Sequence, residues 1–185
     1  MDLQIETYDI GIELAVAHHD PYHQGIAAAA YAGHAAGDGF STYFWGFGGV
    51  KNTETFYLEG IVHGINIGLP HVVLDEYSVL VWVLSDGFTK YIREYAPKWI
   101  ANGGRKRDGS IPDAYPSIKQ CYVLFQLGRL CVNRTTPKRG GKLIGMADSA
   151  ASRLATTAYE RGAFRRVGIA ETGSSQRGFE QEFRG

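Results

Sequence analysis

The stretch whose reading decides the fold is "AVAHHDPYHQGIAAAAYAGHA", from Ala15 to Ala35. An apolar run ends in His18, His19 and Asp20, breaks at Pro21, and resumes after Gly25 as a second apolar run rich in alanine. Two short apolar runs joined by His, Asp, Pro and Gly read as strand, turn and strand. Working outward, Ile10–Ala17 ("IGIELAVA") and Ile26–Gly33 ("IAAAAYAG") supply those strands. Phe40–Phe47 ("FSTYFWGF") alternates aromatic with small or polar residues, as a third strand with one buried face does. Three sequential runs with short connections predict an antiparallel meander.

Beyond the turn signal "GGVKNT" the period changes. Leu58, Ile61, Val62 and Ile65 recur at helical spacing between Asn52 and Leu69, and Pro70 closes that segment. "HVVLDEY" (71–77) reads as a fourth, buried strand ending in Asp75 and Glu76, followed by a helix from about Ser78 to Tyr95. "PKWIANGGRKRDGSIPDAYP" is a basic excursion broken by Gly and Pro. A helix over about Ser117–Leu127, a strand at "GRLCVN" and a last helix over about Ala147–Tyr159 complete the pattern. The order β-β-β-α-β-α-α-β-α predicts an α/β domain over residues 1–160, a mixed five-stranded sheet flanked by helices. The polar remainder, 161–185, reads as a flexible tail.

Bulk properties narrow the function classes. A chain of 185 residues, 44% hydrophobic, suits one domain with a sizeable core. Its longest apolar run, "VLVWVL" at Val79–Leu84, is far short of the roughly 20 residues a membrane-spanning helix needs. The acidic start "MDLQIETYDI" has no basic n-region of a secretory signal, and two cysteines make no disulfide framework, so an intracellular, reducing setting is expected. With formal net charge zero, a polyanionic partner must be held by local clusters.

The carboxylates fall at element ends. Asp20 follows the first strand, Glu54 enters the first helix, Asp75 and Glu76 end the fourth strand, and Asp148 opens the last helix. Each has a local use, as turn residue, cap or solvated terminus. Taken together they can converge on one sheet edge, where mutual repulsion favours a dication among them. Oxygen ligands select Mg2+ or Mn2+, and two such ions suit in-line phosphodiester displacement. His18, His19 and His23 form a weaker metal set, because adjacent residues on a strand point to opposite faces and no cysteine lies nearby.

The chain order and these segments resemble the ribonuclease H family. "HHDPYHQGIAAAAYA" is similar to the first hairpin of retroelement ribonuclease H domains, which implies that Asp20 is the first metal ligand. "GFGGVKNTETF" resembles the entry to the first helix, implying Glu54 as the helix acid with Glu59 as the alternative. "VVLDEYS" looks like the family's strand ending in Asp-Ser, but Tyr77 stands immediately before Ser78, leaving Asp75 or Glu76 as the ligand. "GMADSAASRLA" is similar to the opening of the family's final helix and implies Asp148. "PKWIANGGRKRDGSIP" resembles the basic helix and loop with which cellular type I enzymes grip a hybrid, implying phosphate contacts from Lys98, Trp99, Arg105, Lys106 and Arg107. Lys138 and Arg139, in a loop where relatives carry a His, imply backbone contacts, and Asn52 is the candidate for sensing the 2′-hydroxyl.

The resemblance implies two-metal hydrolysis of the RNA strand of RNA–DNA hybrids, with Asp20 and Glu54 bridging both ions and Asp148 with Asp75 or Glu76 completing the set. The alternative is a catalytically degenerate module that binds nucleic acid or serves structurally within a larger retroelement or viral polymerase polyprotein.

Overall fold

Along Ile10–His19 (β1), Ile10, Ile12 and Leu14 are fully buried on one face of a strand, the period of two that the opening stretch predicts. The computed structural model describes residues 8–19, 25–136, 138–139 and 141–179. β1 pairs antiparallel with Ala27–Gly37 (β2), Leu14 opposite Gly33. β2 turns through Asp38 and Gly39, with Gly39 at φ +76°, into antiparallel Phe40–Val50 (β3). Helix α1 (Glu54–Gly68) follows, then Val79–Val83 (β4), parallel to β1. A π-helical turn (Tyr91–Tyr95) runs into α2 (Ala96–Ala101), and α3 (Tyr115–Gln126) leads to Leu130–Arg134 (β5), parallel to β4. Helix α4 (Gly141–Glu160) and Gly168–Ser175 (β6), antiparallel to β3, complete a six-stranded sheet of order β5-β4-β1-β2-β3-β6.

The alanine run explains itself in the packing. Ala28, Ala30 and Ala32 face α4, which presents Ala147, Ala150, Ala151, Ala155 and Ala158; small against small lets the helix lie close to the sheet. Tyr31 faces the other way, into a larger core with Phe44, Phe56, Leu58 and Ile61. There α1 turns Gly60, Gly64 and Gly68 to the sheet, and a Cβ on Gly64 would stand 2.8 Å from Ile12 Cδ1.

Three expectations are corrected. Residues 72–77 form a turn rather than the fourth strand, and Val73 and Leu74 are 68% and 63% exposed. The strand is "VLVWV", assigned to a helix on sequence, with Val79, Val81 and Val83 buried between outward Leu80 and Trp82. The polar segment 168–175 is not a loose tail but the edge strand β6, tied to β3 by backbone pairing. It docks because Gly48 and Gly49 carry no side chain: a Cβ on either would collide with the Gly168 or Arg166 carbonyl. Finally, α4 begins at Gly141, so Asp148 lies two turns inside it.

Candidate functional site

Strands β1, β3, β4 and β5 all point the same way, so one edge of the sheet collects their C-terminal ends, the entry to α1 and the start of β6. Leu14 lies beside Val83, which carries Val16 toward Ser85 at that edge. Tyr57, on the first turn of α1, fills the space between them. Its ring stacks on Phe88 with centroids 5.2 Å apart, and hydrogen bonds from the backbones of Val16 and Ser85 reach its hydroxyl. Burial, and then the facing Asp148 carboxylate, push the Tyr57 pKa up to about 12 against those bonds. The hydroxyl is therefore neutral at physiological pH.

Acids lie near Tyr57 on α4 and α1, and a further one follows in the loop after β4. Asp148 faces its hydroxyl from α4. Glu54 lies one turn earlier on α1, with its carboxylate against Gly87. Asp86, exposed, lies three residues past the end of β4, where its carbonyl accepts bonds from the Thr89 amide at 2.9 Å and hydroxyl at 2.7 Å. Among the described residues, no three His, Cys, Asp or Glu side chains are grouped so as to hold a metal ion. The strand beside the cluster offers Ala15, Val16 and Ala17, and the sheet-facing position of α1 offers a neutral phenol. Among the described residues, which leave out Asp20, the donor set falls short of what a pair of Mg2+ or Mn2+ ions takes.

Asp75, Glu76 and Glu59 are placed elsewhere. Asp20 lies outside the described residues. Its neighbour His19 packs edge-on to Tyr159 at 4.8 Å, eleven residues along α4 from Asp148, or roughly 16 Å at a helix's rise. Asp75 and Glu76 sit in the turn before β4, at the opposite sheet edge, where Arg129 donates to the Asp75 carbonyl. Five residues of β4, on the order of 13 Å, separate that edge from Ser85. Glu59 turns toward α3, accepting a bond from Ser117 Oγ at 2.9 Å; burial raises its pKa, and Tyr31 and Cys121 lie close by. Sequence reasoning named Asp148 and Glu54 but missed Tyr57 and Asp86. The signal was present: an alternating apolar run closed by Ser-Asp-Gly is a strand and its turn.

Beside Glu54 a second feature forms. Asn52 Oδ1 accepts the Glu54 amide at 3.0 Å, and Asn52 Nδ2 donates to the Tyr91 hydroxyl at 3.0 Å. These bonds fasten the start of α1 to the helical lobe and occupy the amide that the resemblance assigned to a 2′-hydroxyl. Tyr95 and Trp99 stack at 5.5 Å, and Tyr91 meets both edge-on. With Asn52, Lys106 and Asp113 they line a cleft of about 240 Å³. Lys98, Arg105 and Arg107 are exposed around it, although Arg105 Nη1 donates to the Gly109 carbonyl at 2.8 Å. Lys138 and Arg139 are exposed in the turn before α4. The structure thus gathers Asn52, Trp99 and Lys106 in one cleft, one residue from Glu54 and its acid neighbours.

No protein-family model and no curated protein matches the sequence, so likeness to known proteins is structural. The prototype foamy virus protease-reverse transcriptase superposes with a TM-score of 0.50 and 14% identity, covering 87% of this chain and 21% of that one. The PFV RNase H domain gives 0.49 and 13%, covering 84% and 96% of the two chains. LC9-RNase H1, a type 1 RNase H, gives 0.49 and 14%, covering 96% and 82%. The chain therefore spans about a fifth of the protease-reverse transcriptase it matches. At these identities the likeness is one of fold: the mixed sheet with helices on both faces is ribonuclease H-like.

Proposed function

We propose that this ribonuclease H-like domain binds double-helical nucleic acid, an RNA–DNA hybrid foremost, as a module of a larger retroelement or viral polymerase, and does so without two-metal turnover. The observation that carries the reading is Tyr57. It puts a neutral hydroxyl facing Asp148, hydrogen-bonded to the backbones of Val16 and Ser85. The cleft of Tyr91, Tyr95, Trp99 and Lys106 supports binding, because aromatic faces and flanking cations suit the sugars and phosphates of a backbone. Hydrolysis of the RNA strand is the second reading. It is favoured by the Glu54 carboxylate resting on Gly87, next to Asp86.

Fluorescence anisotropy of a labelled hybrid between 50 and 200 mM salt tests binding. The expected result is an affinity that falls linearly on logarithmic axes with salt, and that is weaker in Trp99→Ala. No measurable binding at 50 mM salt would remove the reading.

A further inference from the structure

We propose that Lys51, Arg165 and Arg166 form a second phosphate-contacting surface, at the β6 end of the sheet, which lengthens the footprint on a bound double helix. The inference rests on the nucleic-acid reading. Its basis is the strand that sequence analysis took for a tail. β6 runs antiparallel to β3, so the turn that precedes it lies at the edge occupied by Tyr57, Asp86 and Asn52. Gly49 bridges to Val167, and its bare Cα admits the Arg166 carbonyl, which sets the arginine pair beside the end of β3. Lys51 is the next residue but one after Gly49 and is exposed.

The charges there are unspent. Arg161, close by in sequence, is held by Glu171 at 3.1 Å and lies over the Phe47 ring at 5.7 Å. Among the described residues, neither Lys51, Arg165 nor Arg166 has a carboxylate partner within ion-pair distance, and both arginines are exposed on a cleft of about 500 Å³ lined by Gly162, Val167 and Gly168. Guanidinium groups in a concavity match the planar, two-pronged geometry of phosphate oxygens. From β4 to β6 is four strand steps, about 19 Å at the ordinary spacing, or roughly 5 to 6 base pairs of rise. A double helix laid along the edge therefore reaches the arginine pair while it covers the acid cluster, with the Trp99 lobe as its other grip.

The experiment compares the salt dependence of hybrid binding for the wild-type chain, Arg165→Gln/Arg166→Gln, Lys51→Gln, and Lys119→Gln as a control on α3. The double variant is expected to lower the slope of log affinity against log salt by about 1.8 and Lys51→Gln by about 0.9, one counterion term per phosphate. Lys119→Gln is expected to leave it unchanged. A wild-type chain that binds with a slope the arginine and lysine variants do not alter overturns this surface and leaves the Trp99 lobe standing. Absence of wild-type binding overturns the nucleic-acid reading and this surface with it. Lys51→Gln, on an exposed loop, decides the matter if the double variant fails to fold.

Discussion

A phenol between a strand end and an aspartate can hold a hydrogen bond but cannot supply a charge to a dication while it stays protonated. Tyr57 stays protonated because it is buried and because Asp148 faces it. Glu59, two residues along the same helix, is the complementary case: a carboxylate that burial holds above its ordinary range, with the Ser117 hydroxyl offsetting only part of that cost. The folded chain then binds the Glu59 proton more tightly than the unfolded chain does. Its contribution to stability is greatest at low pH and falls as pH rises from about 4.3 through the raised folded value. Glu59→Gln removes the titration. The thermal midpoint of that variant, relative to wild type, is expected to climb between pH 4 and pH 7.5; a difference that stays flat or shrinks would contradict the burial account. Glu54 was legible as the acid entering α1, although Asp148, expected to open the last helix, lies two turns inside α4. Tyr57 was not, since an aromatic on a buried helix face reads as core and its hydroxyl's partners come from two other elements.

Elements were legible where local period and tertiary pairing agree. The meander from Ile10 to Val50, α1 and α3 fall close to where alternation, helical spacing and Pro or Gly signals place them. The fourth strand was misplaced because two β-rich runs, "HVVL" and "VLVWV", compete for one slot beside β1. The sheet takes the one whose alternate residues can all be buried, and the acids expected at the strand end moved to the wrong edge with the misreading. β6 was invisible for another reason: "GIAETGSS" has no apolar face, and its pairing depends on two glycines more than a hundred residues earlier. Gly48→Ala places a methyl group against the Gly168 carbonyl. That substitution is expected to cost about 1 to 3 kcal/mol, as overpacking does, or to release β6. Hydrogen exchange is expected to show residues 168–175 losing protection while β1 and β2 keep theirs; unchanged protection in β6 would refute the close-approach argument.

At the scale of the molecule, a formal net charge of zero conceals a sorted surface. One sheet edge carries Tyr57 with Asp148 and Glu54, flanked by Lys98, Lys106 and Trp99 beyond α1 and by Lys51, Arg165 and Arg166 beside β6. Among the described residues no helix is long and apolar enough to cross a membrane. Such an arrangement suits a surface that grips phosphates on either side of Tyr57. The most direct measurement is denaturing-gel analysis of an end-labelled RNA–DNA hybrid incubated with the chain in Mg2+ and, separately, in Mn2+, beside Asp148→Asn and Asp86→Asn. The account predicts an intact RNA strand in every lane. Cleavage by the wild-type chain that either substitution abolishes would contradict it.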